Sequence, residues 1–133
     1  MIADGAGGAL VAWQSGSTLL GTRVQSDGTF APGWPASGVS LLGGANSAVT
    51  SSYTTAAAGP AGGFVVCWDD ARLPGHTLVR ARWLLASGDP DPAMPDTGVV
   101  VSPTATNATV RSAISDGSGG VYVSWVNTGS FGN

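Results

Sequence analysis

The residues whose types are best suited to chemistry lie between positions 69 and 76, where Asp69, Asp70, Arg72 and His76 bring two carboxylates, a guanidinium and an imidazole together. On a loop, this group could bind a sugar or a peptide, because loops carry many binding sites. An ion pair between Arg72 and one aspartate, which would fix the loop, is the structural alternative. Neighbouring strand residues point to opposite faces, so the two acids suit paired acid–base catalysis poorly. We predict four ligand-binding residues here and no catalytic residue.

An internal repeat positions these residues. Three segments align without gaps: DGAGGALVAW at residues 4–13, GPAGGFVVCW at 59–68 and DGSGGVYVSW at 116–125. In each, a glycine-rich turn leads into an apolar stretch that ends in tryptophan, which is typical of a β-hairpin. One supersecondary unit therefore occurs twice in full and begins a third time.

The second half of the unit repeats as well, with matching glycines and prolines at 28, 32, 35 and 38 and at 88, 92, 95 and 98. Aligning Arg23 with Arg82 predicts a four-residue insertion in the second unit, after Trp68. The approximate units are residues 1–44, 45–104 and 105–133, the last being incomplete.

Each unit is expected to contain four strands. In the second unit they cover about 48–57, 64–68, 78–85 and 99–102, and their counterparts elsewhere include 19–25, 39–42 and 110–115. Neither face of the strand before the tryptophan is polar, so we expect burial on both sides. The chain is thus predicted to be all-β, with four-stranded antiparallel blades in a partial β-propeller. A β-solenoid is the alternative.

Composition supports the all-β prediction and excludes several classes of function. The chain lacks Lys and Glu, which commonly fill exposed helix faces, and it contains 21 Gly and 8 Pro. The net charge of −3 argues against nucleic-acid binding. The longest apolar run, residues 64–68, is far too short to insert across a membrane. Because no cofactor fingerprint occurs, we predict no cofactor.

The aspartates that open two of the three glycine turns are candidate metal ligands. Asp4 and Asp116 open the first and third turns, and aspartate oxygens are ligands that calcium prefers. The same residues also suit an Asx turn, in which the side chain accepts hydrogen bonds from nearby backbone amides. Gly59 opens the middle turn, so a ligand role would not be shared by all units. We predict no metal site.

Cysteine and tryptophan side chains favour packing roles. Cys67 lies where the other copies have Ala12 and Ser124, which indicates a small core residue rather than a nucleophile. Trp34 and Trp83 do not recur as tryptophan, so they are candidates for exposed stacking on a sugar, although packing is the favoured interpretation.

The pattern as a whole resembles a bacterial secreted or surface repeat family. Its units combine the Asp-Gly-x-Gly-Gly turn and its Trp with an Arg strand, a second Gly turn, the Pro-Gly-Trp-Pro seen at 32–35, and the Gly-Val at 38–39. The resemblance implies propeller-like rings and an extracellular or cell-surface location. It implies a non-catalytic structural or binding module, for adhesion or for glycan or protein binding. The alternative is the structural blades of a propeller carbohydrate-active enzyme whose catalytic residues lie outside this chain.

Both ends of the sequence fall inside repeat units, which we interpret as a fragment of a longer product. A ring assembled from several chains is the alternative. The expected partners are therefore neighbouring blades of the same parent protein or other copies, together with a glycan or protein ligand.

Overall fold

The computed structural model describes residues 1–42, 54–104 and 107–127, and the prediction of an all-β protein with antiparallel sheets is confirmed. Sheet 1 contains β1 (Ile2–Ala3), β2 (Ala9–Ser15), β3 (Thr18–Val24) and β4 (Val39–Ser40). Sheet 2 contains β5 (Thr54–Ala58), β6 (Phe64–Asp70), β7 (Leu78–Leu84) and β8 (Val99–Val100). Sheet 3 contains β9 (Ala108–Ser115) and β10 (Val121–Asn127). Within each sheet, consecutive strands are antiparallel neighbours, and none of the sheets is closed.

The strand after each glycine turn continues two residues past its tryptophan. As a result, Asp69 and Asp70 lie in β6, not in the loop that follows it, whereas Arg72 and His76 lie in that loop. The predicted strand at 48–57 begins with residues 48–53, which lie outside the described part of the chain.

The register of the strands corrects the alignment of the second half of the unit. Trp13 pairs with Leu20, seven residues later, whereas Trp68 pairs with Arg80, twelve residues later. The second unit therefore carries an insertion of five residues rather than the predicted four. It lies in the hairpin loop between β6 and β7.

This difference of one residue also changes which side chains are equivalent. By register, Arg23 occupies the position of Trp83, and Arg82 occupies the position of Thr22. Because strand side chains alternate between faces, the one-residue shift puts the two arginines on opposite faces of their sheets. The prediction that Arg23 and Arg82 are equivalent is wrong.

An equivalent backbone hydrogen bond closes each of the three glycine turns, although their sequences differ. The amides of Asp4, Gly59 and Asp116 donate to the carbonyl oxygen four residues later at 3.0, 2.9 and 3.1 Å, respectively. In the first turn, the Asp4 carboxylate also accepts the amides of Ala6 and Gly8, both at 2.8 Å. The Asx interpretation of this turn is confirmed, and Asp116 repeats it.

The three sheets pack face to face in chain order, with a separate core at each junction. Phe64, Val66 and Trp68 of β6 face sheet 1, while Val65 and Cys67 face sheet 3. The core between sheets 1 and 2 contains Leu10, Leu19, Ala31, Trp34, Leu41, Leu42, Phe64, Val66, Trp68 and Leu84. The core between sheets 2 and 3 contains Ala57, Val65, Cys67, Val79, Ala81, Ala108, Val110 and Ala113.

Burial on both faces is a property of sheet 2. Every residue of β6 is buried, as predicted for the strand before the tryptophan. In β2 only Leu10 is buried, and in β10 the residues that face sheet 2 are partly buried while those on the other face are exposed. The prediction of burial on both sides therefore holds for β6 but not for β2 and β10. Within the residues that the structure describes, none forms a helix long and apolar enough to span a bilayer.

Candidate functional site

The end of β6 and the loop after it hold a compact cluster of charges. Asp70, the last residue of β6, accepts hydrogen bonds at 2.7 Å from Nε and NH2 of Arg72. It also accepts one from Nε of Arg80 on the adjacent strand β7. The carboxylate thus binds two guanidinium groups, and we call these three residues the Asp70 cluster.

Backbone carbonyls complete the environment of the cluster. NH1 of Arg80 donates to the carbonyl oxygens of Thr97 and Gly98 at 3.1 and 3.0 Å. The Arg72 amide donates to Asp70 Oδ1 at 3.0 Å, which ties the start of the loop to the end of the strand. Carboxylate and carbonyl oxygens therefore accept hydrogen bonds from most of the N–H groups of both guanidiniums. These bonds hold the loop in place.

The cluster keeps Asp70 ionised. Burial raises the pKa of this carboxyl, but the hydrogen bonds from Arg72 and the charges of Arg72 and Arg80 outweigh burial and leave the pKa below its ordinary value. The same ion pair raises the pKa of Arg72. Because all three groups stay charged, the cluster carries a net charge of about +1 at neutral pH.

Asp69 lies on the other face of sheet 2, as its place next to Asp70 in a strand requires. Its side chain is fully buried, and Oδ1 accepts the backbone amide of Val110 in β9 at 2.7 Å. Asp69 therefore helps to join sheet 2 to sheet 3. The structure thus separates the two adjacent acids, which face different neighbouring sheets.

Arg72 and His76 are the members of the predicted group that lie in the loop. The Arg72 side chain is 24% exposed, and His76 is exposed. The His76 amide donates to the Leu73 carbonyl oxygen at 3.0 Å, which closes a turn at the tip of the loop. A ligand approaching this end of sheet 2 would meet His76 and Leu73 before it met the Asp70 cluster.

A second ion pair, between Asp4 and Arg23, was not foreseen from the sequence. Oδ2 of Asp4 accepts Nε and NH2 of Arg23 at 3.0 and 2.9 Å. Hydrogen bonds from the Ala6 amide and from Arg23 lower the pKa of Asp4. Both carboxylate oxygens of Asp4, which could otherwise bind calcium, accept hydrogen bonds from backbone amides or from Arg23.

The arginines also connect the sheets. The guanidinium of Arg23 lies 5.9 Å from the ring centre of Phe64 in sheet 2, within the range of a cation–π contact. Arg82 is buried and donates from NH1 to the carbonyl oxygen of Leu42 in the first unit and to that of Asp96. Nε of Arg82 has no hydrogen-bond partner among the described residues, and burial lowers the pKa of Arg82.

Trp34 and Trp83 are both contacts between units, in agreement with the favoured interpretation of packing. Trp34 is 1% exposed, meets Phe64 edge to face, and donates from its indole N–H to the Ala86 carbonyl oxygen at 3.1 Å. Trp83 donates from its indole N–H to the Gly119 carbonyl oxygen at 3.1 Å. Neither of these indole N–H groups is free to bind a sugar.

Cys67 is a buried core residue, as its place in the repeat predicts. Burial raises the pKa of its thiol to about 12, so the reactive thiolate is scarce at neutral pH.

Comparisons with known proteins were made at the level of family models, curated proteins and solved structures, and none of the three gave a match.

Proposed function

We propose that this chain is a non-catalytic repeat module, a partial β-propeller that acts as a structural and binding unit of a secreted or cell-surface bacterial protein. The proposal depends on one observation, namely what the two candidate acids, Asp69 and Asp70, bind. Asp69 binds the backbone of the next sheet, and Asp70 binds one arginine of the adjacent loop and one of the neighbouring strand β7. Acids bound in this way hold the fold together and are poorly placed for proton transfer to a substrate.

The packing of the sheets supports a propeller rather than a solenoid. In a parallel solenoid, strands of successive coils pair with one another, whereas each strand pair described here joins two strands of the same unit. Successive units meet mainly through side chains, with a backbone hydrogen bond from the Ala108 amide to the Thr77 carbonyl oxygen at 2.8 Å beside them. The tryptophan-bearing faces of sheets 2 and 3 both face the preceding sheet. This is the relation expected of adjacent blades.

The loop between β6 and β7 is the proposed binding surface. It is five residues longer than the corresponding turn of sheet 1, and its tip exposes Leu73 and His76. The Asp70 cluster holds the base of the loop in place, so the exposed tip is presented on a fixed support. An extracellular location follows from the resemblance of the repeat and is part of the same proposal.

A glycan array and a hydrolysis assay together test this function. We expect binding without release of reducing sugar, and we expect His76→Ala and Leu73→Ala to lose binding while the melting temperature stays unchanged. Gln14→Ala, at the corresponding end of β2, is the matched control and should bind normally. Hydrolysis by the isolated chain would contradict the non-catalytic proposal, and binding that survives both loop variants would exclude this loop as the site.

A further inference from the structure

Among the residues that the structure describes, no sheet packs on one apolar face of sheet 1. Ala9, Val11 and Trp13 of β2 are only half-buried, and we call them the open face of sheet 1. The equivalent positions of sheet 2 are occupied by Phe64, Val66 and Trp68. These residues are at most 2% exposed, because sheet 1 covers them. The open face therefore carries the residue types of a face that is buried at the next junction along the chain.

In the described part of the chain, no sheet covers the face of sheet 3 that points away from Trp125 and from sheet 2. Ile114 and Tyr122 are 61% and 67% exposed, and together with the exposed Ser124 they form the open face of sheet 3. A shallow pocket lies in this face and is lined by these residues and two neighbours, Ser112 and Val123. The equivalent positions of sheet 2 are occupied by Ala57, Val65 and Cys67. These residues are at most 3% exposed, because sheet 3 covers them.

The two open faces are the two halves of one junction. At both internal junctions, the tryptophan-bearing face of one sheet packs on the other face of the preceding sheet. Sheet 1 has an uncovered tryptophan-bearing face, and sheet 3 has an uncovered face of the receiving kind. We propose that a second copy of this chain binds head to tail, with its open face of sheet 1 on the open face of sheet 3 of the first copy.

Three observations favour a second copy as the occupant. The contact continues an interface that the chain already forms twice, with the same positions of the repeat on each side. All six residues that define the two faces are uncharged, so no like-charge repulsion opposes the approach. The exposed Ile114 and Tyr122 are large and apolar, and apolar groups gain free energy when such a contact removes them from water. Because the two faces differ, the contact is heterologous and continues until a ring closes or a filament forms.

Light scattering coupled to size exclusion tests this interface on the whole chain. Between about 1 μM and about 1 mM, a range that covers moderate to weak affinities, the average mass of the wild-type chain should rise with concentration. Tyr122→Asp, at an exposed position, should remain monomeric because it places a charge in the contact. Leu85→Asp is the matched control: Leu85 is 44% exposed but lies outside both faces, so this variant should associate like the wild type.

Mixing variants tests the head-to-tail geometry. Val11→Asp blocks the open face of sheet 1 and leaves sheet 3 intact, while Tyr122→Asp does the reverse. Each variant alone should be monomeric, and an equal mixture should form a 1:1 complex that grows no further. If Val11→Asp fails to fold, as circular dichroism would show, Tyr122→Asp still carries the test, because it should cap and shorten wild-type assemblies.

Several outcomes would overturn the proposal. A wild-type chain that stays monomeric over the whole range would show that a second copy does not cover these faces and would leave them to a different chain. Association of Tyr122→Asp equal to that of Leu85→Asp would place the contact elsewhere. Self-association of Val11→Asp alone would indicate a symmetric contact between two sheet 3 faces instead of a head-to-tail one.

Discussion

Asp70 is almost fully buried, and its carboxylate is the point at which the long hairpin loop is attached to sheet 2. Two guanidinium groups and one backbone amide bind it. Removing the carboxylate would leave Arg72 and Arg80, both mostly buried, without their counter-charge. The cost of the substitution therefore comes mainly from the cations that remain.

We predict that Asp70→Ala lowers the free energy of unfolding by about 3 kcal/mol, because breaking a buried ion pair leaves an uncompensated charge. Urea denaturation at neutral pH measures this loss. Asp89→Ala is the control, since Asp89 is exposed and its side chain binds only its neighbour Ser87, and we expect a change below about 0.5 kcal/mol. Equal effects of the two substitutions would contradict the structural role of the Asp70 cluster.

The same carboxyl predicts a pH dependence of stability. Its pKa in the folded chain lies below the ordinary value of 3.8, so its contribution is fully present above that pH and is lost as the pH falls through the folded pKa. The difference in unfolding free energy between the wild type and Asp70→Ala should therefore shrink steadily in acid below about pH 4. A difference that is unchanged at about pH 2 would mean that Asp70 is not held as an anion.

Cys67 provides a direct probe of core packing at a single residue. Because the thiol is fully buried and its pKa is raised to about 12, we predict no reaction with an aromatic disulfide reagent at about pH 8 in the folded chain. One equivalent should react once urea unfolds the protein. Rapid reaction under native conditions would show that the junction between sheets 2 and 3 opens easily.

At the level of elements, the repeated tryptophan and the repeated Gly-Val explain each other. The ring of Trp68 lies against Gly98, where an added Cβ would come within 2.5 Å of the ring, and Trp13 lies against Gly38 in the same way. Both glycines have a positive φ, which residues other than glycine rarely adopt. The turn before the last strand of each unit thus requires glycine for two separate reasons.

Gly98→Ala should therefore cost more than a positive φ alone explains. Gly75→Ala is the matched control, because Gly75 has a φ of 78° but open space around its missing Cβ. We predict a loss of about 1 kcal/mol for Gly75→Ala and about 3 kcal/mol for Gly98→Ala, because the second substitution also crowds the Trp68 ring. Thermal or urea unfolding measures both values. Equal losses would mean that Trp68 can move aside and that its contact with Gly98 has little effect on stability.

Sequence reasoning predicted the elements better than their register. The glycine turns and the tryptophans locate β2, β6 and β10, because a turn followed by a short apolar stretch is a local signal. The alignment of Arg23 with Arg82 failed because an arginine can lie on either face of a strand, and only hydrogen-bond pairing shows where the inserted residues lie.

For the candidate site, the sequence predicted the pairing of Arg72 with an aspartate but not the rest of the cluster: Arg80 was missed, and Asp69 lies on the other face of the sheet. The pairing of Asp70 with Arg72 and the separation of Asp69 from Asp70 follow from local spacing. Arg80, the second partner of Asp70, lies ten residues away across a hairpin whose loop length the sequence did not reveal. Partners that meet only through strand pairing or through sheet packing, such as Trp34 and Ala86, leave no local pattern to read.

At the level of the whole molecule, two complete units and the start of a third stack in chain order. Among the described residues, sheet 2 lies between two neighbouring sheets, and each outer sheet has one. In a structure of this kind, stability depends on the contacts of each unit with the next. The middle unit should therefore be the most stable part of the chain, and the two outer units should open more readily.

Native-state hydrogen exchange, measured amide by amide at a concentration where the chain is monomeric, tests this stacking most directly. We predict that the amides of β6 that pair with β7, between Phe64 and Asp70, exchange more slowly than the amides of β2 that pair with β3, between Ala9 and Ser15, by a factor of about ten or more. The comparison is limited to the amides that pair with β3 and β7, because β1 pairs only with Ala9 and Leu10 of β2, whereas β5 pairs with residues 64–68 of β6. Equal protection of β2 and β6, or slower exchange in β2, would contradict the stacked arrangement.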